Sequence, residues 1–94
     1  MSIPDNSKAL TLRIDLDFPI KIGGVEASSL TLRRPKNKDQ QVMELSQKTA
    51  GQKEADYLSN LLQITPQEYG ELDMADYEKI IEAHASFRRP RSES

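Results

Sequence analysis

A lone imidazole, His84, two carboxylates one residue apart, Asp15 and Asp17, and adjacent hydroxyls at Ser28 and Ser29 are the groups in this 94-residue sequence whose types could do chemistry. A nucleophilic triad or a zinc site would need His84 in the company of suitably spaced partners, and the sequence barely supplies them. His84 falls on an apolar helical stripe beside Ile80 and Phe87, the position of a packed boundary histidine. Asp15 and Asp17 share one strand face about 7 Å apart, a spacing that suits a paired acid and base or a hard cation. Arg13 and Arg33 are expected close enough to neutralise both, so they read as solvent-face charges. Gly23-Gly24 precedes no helix and no Gly-Lys-Ser/Thr run, which makes it a turn and not a phosphate loop. Ser28-Ser29 lacks a nucleophile-elbow context. The chain has no Cys, which excludes a disulfide, a thiolate metal site and a thiol nucleophile. The expectation is a protein that is not an enzyme, with no catalytic residue, no cofactor and no metal.

Those residues sit on elements that the hydropathy pattern outlines. Leu10, Leu12, Ile14, Leu16, Phe18, Ile20 and Ile22 fall on every second position, the strand period, with Thr11, Arg13, Asp15, Asp17 and Lys21 between them. Pro19 has no amide hydrogen, so it marks an edge or a local break. Gly23-Gly24 supplies the positive-φ pair of a two-residue hairpin loop. That loop sets Ile22 opposite Val25, Lys21 opposite Glu26 and Ile20 opposite Ala27. Continued unchanged, the register would put Asp17 opposite Leu30 and Asp15 opposite Leu32, on conflicting faces. A bulge in which Ser28 and Ser29 together face Pro19 repairs the parity and predicts Phe18 opposite Leu30, Leu16 opposite Leu32 and Asp15 opposite Arg33.

Beyond Arg33-Arg34-Pro35 the period changes to helical. Asn37 to Gln40 has capping-box spacing ahead of a short helix carrying Val42, Met43 and Leu45. After a turn near Gly51, Ala55, Leu58, Leu61 and Leu62 recur at helical spacing. Thr65-Pro66-Gln67-Glu68 combines a cap, Pro at the first helical position and Glu three after the cap, starting a short helix that stops near Gly70. Asp73 caps the last helix, whose apolar stripe is Met74, Tyr77, Ile80, Ile81, His84 and Phe87, with Pro90 ending it. The predicted class is α+β: an N-terminal β-hairpin over about 9–34, with a bulge, then three or four short α-helices over 37–88. One domain over 9–88 is expected between disordered tails at 1–8 and 89–94.

Composition narrows the function classes. Hydrophobic residues make up 36% and charged residues 30%, with no Trp, which implies a modest core that oligomerisation would help. No apolar run approaches a membrane span, and the first residues lack the pattern of a targeting segment. Charge is unevenly spread. Arg33, Arg34, Lys36 and Lys38 cluster, as do Arg88, Arg89 and Arg91, while Glu54, Asp56, Glu68, Glu71, Asp73, Asp76, Glu78 and Glu82 face the single base Lys79. The segment Arg33 to Lys38 supports an alternative function as a small nucleic-acid-binding regulator, but the hairpin's polar face has no aromatic for base stacking and the pI is near 5.4.

The order and spacing of Leu30-Thr-Leu-Arg-Arg-Pro35, Asp39, Ile64-Thr-Pro-Gln-Glu68, Leu72-Asp73 and Ala75-Asp76-Tyr77 resemble the phage tail assembly chaperone family, the tail protein E type of contractile-tailed phages. The likeness runs from about Lys8 to Phe87. It departs from the family's pattern in its polar first helix and at Tyr69-Gly70. The resemblance implies a protein that binds the tape measure protein, keeps it soluble, helps recruit tail tube subunits and is left out of the mature virion. It also implies the cytoplasm of the bacterial host, in many systems with a longer frameshifted product. The expected partner surface is the hairpin end at Leu30, Leu32, Arg33 and Arg34, with Asp73, Asp76 and Tyr77 as an acidic second contact.

Overall fold

The computed structural model describes residues 10–89. Over those residues it is an α+β arrangement of two strands and four helices: β1 (Thr11–Ile22), β2 (Val25–Arg33), α1 (Asn37–Leu45), α2 (Ala50–Leu62), α3 (Pro66–Gly70) and α4 (Met74–Phe87). The segments expected as tails lie outside the described residues, apart from Arg89.

The strands pair antiparallel through a two-residue turn in which Gly23 (φ +58°) and Gly24 (φ +84°) both adopt left-handed backbone. Only residues free of a Cβ do this cheaply, and the primed turn they form matches the strand twist. Near the turn the register is the expected one, with Ile22 opposite Val25 and Lys21 opposite Glu26.

A register shift is present, but on the other strand. Asp15 pairs with Ser29 and Ile20 with Ala27, so Leu16, Asp17, Phe18 and Pro19 stand against Ser28 alone. The expected bulge at Ser28-Ser29 is therefore replaced by a wider excursion of β1. Ile14, not Phe18, lies opposite Leu30; Leu12, not Leu16, lies opposite Leu32; Thr11, not Asp15, lies opposite Arg33. Both shifts are odd, so both return the apolar residues to one face. What selects the second is a partner for the amides it frees. Asp17 N–H and Phe18 N–H donate to the Asp76 carboxylate on α4 at 2.9 and 3.0 Å, and Pro19 has no N–H to satisfy. The same excursion turns Phe18 outward, 55% exposed, where strict alternation would bury it.

The core lies between one face of the hairpin and the helices. Ile14, Leu16, Ile20, Leu30 and Leu32 meet Leu58, Leu61 and Leu62 of α2, Tyr69 of α3, and Ile80 and Phe87 of α4. Each of the last three helices begins on a side-chain cap. Thr49 Oγ1 accepts from Gln52 N–H, Thr65 Oγ1 accepts from Glu68 N–H at 3.1 Å, and Asp73 accepts from Ala75 N–H at 3.0 Å. At α1 the cap sits one residue earlier than the Asn37–Gln40 spacing suggests. Lys36 is the N-cap, and Asp39 reaches back to accept its N–H at 2.8 Å. Met74, read as part of the α4 stripe, is 66% exposed, because the stripe meets the core only from Asp76 onward.

Replacing Asp76 removes the acceptor of the Asp17 and Phe18 amides and one of the two carboxylates that Lys79 pairs with. Asp76→Ala is expected to cost about 3 kcal/mol and to raise hydrogen exchange at Asp17 and Phe18 ahead of the rest of β1, read by denaturant melts and amide exchange.

Candidate partner-binding surface

The residues expected to form a partner surface are divided by the fold between interior and rim. Leu30 (6% exposed) and Leu32 (0%) belong to the core and are not on the surface. Arg33 is drawn away from Asp15, which pairs instead with Arg13 at 2.9 Å. The Arg33 guanidinium makes a two-pronged bond to Asp39, at 2.8 and 3.0 Å. Arg34 Nη1 donates to the Phe87 carbonyl at 3.2 Å, and its guanidinium lies 4.9 Å from the centroid of the Phe87 ring, a cation–π contact. These two arginines fasten the end of β2 to α1 and to the end of α4.

Asp73, Asp76 and Tyr77 share the first turn of α4, with different duties. Asp73 caps the helix, Asp76 is fully buried beneath the β1 excursion, and Tyr77 donates its hydroxyl to Glu54 at 2.8 Å while packing edge-on against Tyr69. Lys79 completes the Asp76 site. Its ammonium reaches the Asp15 carbonyl at 2.9 Å, Asp17 at 3.1 Å and Asp76 at 3.4 Å. Burial opposes ionisation of Asp76, but the two amides and Lys79 outweigh it and hold the carboxyl below its ordinary range. Glu68 makes a second clasp. One oxygen accepts from its own cap residue, Thr65, at 2.9 Å and the other from Gly23 of the hairpin turn at 2.8 Å.

His84 is held in the fold by a 2.7 Å hydrogen bond to the Tyr57 hydroxyl and an edge-on ring contact with it. Burial, then Arg88, pushes the imidazole below its usual value, with Glu54 partly opposing. Among the described residues no group of three or more His, Asp or Glu is placed to hold a metal ion. No helix among them is long and apolar enough to cross a membrane.

The exposed apolar surface lies elsewhere. Val42 and Leu45 on α1 are 71% and 82% exposed, and with Met43 they line one wall of an open groove of about 590 Å³ whose other wall is α2, with Tyr57. Their spacing announces a helical stripe. No sequence signal told whether the rest of the chain would cover it.

A modest core, three carboxylates bonded to a hairpin, and exposed apolar residues define a small α+β protein. Comparison with known families makes this specific: residues 13–89 match the family described as phage tail assembly chaperone proteins, E, or 41 or 14. The match spans most of the 94 residues, and the chain belongs to this family. No curated protein and no solved structure matches it.

The Arg33–Asp39 pair sets an acid limit on stability. Arg33 bonding, against the opposing effect of burial, holds the Asp39 carboxyl at about 2. A depressed carboxyl contributes stability that is present above its unfolded value near 3.9 and lost as pH falls through the folded value. The thermal midpoint should therefore hold down to about pH 5 and drop between roughly pH 4 and 2. Asp39→Asn should lower the midpoint at neutral pH and flatten part of that drop, as read by calorimetry across pH.

Proposed function

We propose that the protein binds the tape measure protein during virion assembly, keeps it soluble and helps recruit tail tube subunits, working by binding and without catalysis. It acts in the cytoplasm of the bacterial host and stays out of the mature virion. The family match over residues 13–89 carries this reading. The physical features agree with it, because a holder of a long apolar client needs exposed apolar side chains on a charged body, and Phe18, Val42 and Leu45 are such side chains. In this reading Arg33, Arg34, Asp73 and Tyr77 supply charged and polar contacts to the client, and the buried Leu30, Leu32 and Asp76 hold the hairpin in place. A nucleic-acid reading would require Arg33 and Arg34 to face phosphates, and both are engaged within the fold.

Co-expression tests the reading. The tape measure protein of the same phage should move from the insoluble to the soluble fraction when this chain is present, and should co-purify with it in about 0.5 M salt, where phosphate contacts are weak. A tape measure protein that stays insoluble, or a complex that forms on nucleic acid and dissolves with salt, would contradict it.

A further inference from the structure

Helix α1 is attached in an unusual way. Amphipathic helices of this length owe their stability to burying an apolar stripe, yet the one buried residue of α1 is Asp39. The helix is held by the Arg33–Asp39 ion pair and by contact with α2, while Val42 and Leu45 face solvent. The apolar wall they form runs beside α2, leaving an open groove of about 590 Å³ between the two helices.

Charge selects the occupant. Around the groove, Lys48 is paired with Asp56 at 2.7 Å and Arg33 with Asp39. Among the described residues this leaves Lys53 as the lining charge with no ion-pair partner; Lys36 and Lys38 are exposed at the start of α1, and Glu44, exposed near its end, does not line the groove. A second copy of this chain is a poor occupant. Among the described residues outside α1, its exposed large apolar residues are Leu10, Phe18 and Val25 on the hairpin side and Met74 at the start of α4. Pairing α1 with itself would cover only Val42, Leu45 and the half-buried Met43 on each copy, too little apolar surface for a stable dimer.

We propose that the groove between α1 and α2 seats an amphipathic helical segment of the client protein, its apolar stripe on Val42, Leu45 and Tyr57 and an acidic flank against Lys53. The proposal rests on the chaperone reading for the identity of the client, and it adds the site and the chemistry recognised there. Helix-in-groove binding places anchors at i, i+3, i+4 and i+7, which a shallow groove walled by two helices accepts from many segments of a long partner. Met43, unbranched and half-buried in the wall, adjusts to differing side chains.

Two labelled helical peptides serve as probes. They share a Leu stripe over about five turns and differ only in carrying Glu or Lys beside it; fluorescence anisotropy reads their binding to the full chain. The Glu peptide should bind at least about tenfold tighter than the Lys peptide. Leu45→Glu should abolish binding without lowering the melting temperature, since the side chain is exposed, and Lys53→Glu should reverse the charge preference. Equal binding by wild type and Leu45→Glu, an absent charge preference, or an oligomer that Leu45→Glu converts to monomer in sedimentation would overturn the proposal. Co-expression separates this from the parent reading. If wild type solubilises the tape measure protein and Leu45→Glu does so equally well, the groove is wrong and the chaperone stands; if the Glu peptide binds as described and wild type fails to solubilise, the chaperone reading is wrong and the groove stands.

Discussion

A single buried carboxylate, that of Asp76, reconciles the two halves of this fold. The hairpin has to change register to keep its apolar residues on one face, and changing register frees backbone amides from the ladder. Asp76 accepts two of them, from Asp17 and Phe18, across 59 and 58 residues of chain. An ionised carboxylate with no exposure is costly unless donors surround it. Here the donors are the same amides that would otherwise be unpaired, together with Lys79. Each group is tolerable inside the protein because the other is there.

Similar pairing recurs at smaller scale where the hairpin meets the helices. Glu68 caps its own helix and holds Gly23 of the turn, and Asp39 caps α1 while binding Arg33 at the end of β2. A two-stranded hairpin is marginal alone. Three carboxylates from α1, α3 and α4 fix its end, its turn and its excursion, and the apolar face between them closes over Leu58, Leu61 and Ile80. A consequence is that α1 is secured by its ion pair and its contact with α2 and not by burying its stripe, which stays exposed.

Much of the architecture was legible in the sequence because the signals are local. Alternation gave the strands, Gly23-Gly24 the turn, and Thr65-Pro66 and Asp73 the starts of α3 and α4. The need for a register shift was also legible, since parity alone demands an odd one. Which strand carries it was not, because one extra residue in β2 and three in β1 satisfy the pattern equally, and Asp76 decides between them from the far end of the chain. Arg33 and Asp39 were each conspicuous without announcing that they pair. The exposure of Val42, Leu45 and Met74 was equally hidden, since helical spacing shows a stripe and says nothing of what covers it.

For a protein of the tail assembly chaperone family, this construction separates the residues that fold the chain from the apolar residues left exposed. The charged residues near the hairpin are mostly engaged within the molecule, and the surface left exposed along α1 is apolar, with Lys36 and Lys38 at its start and Glu44 near its end. The seating of the hairpin's excursion depends on Asp76 being ionised and bonded to it. The most direct measurement is the carboxyl carbon titration of Asp76 by NMR, followed together with the amide protons of Asp17 and Phe18. The account predicts a midpoint below the ordinary carboxyl value near 3.9, with both amide signals moving at that same midpoint. A midpoint at or above that value, or amides that ignore the titration, would contradict it.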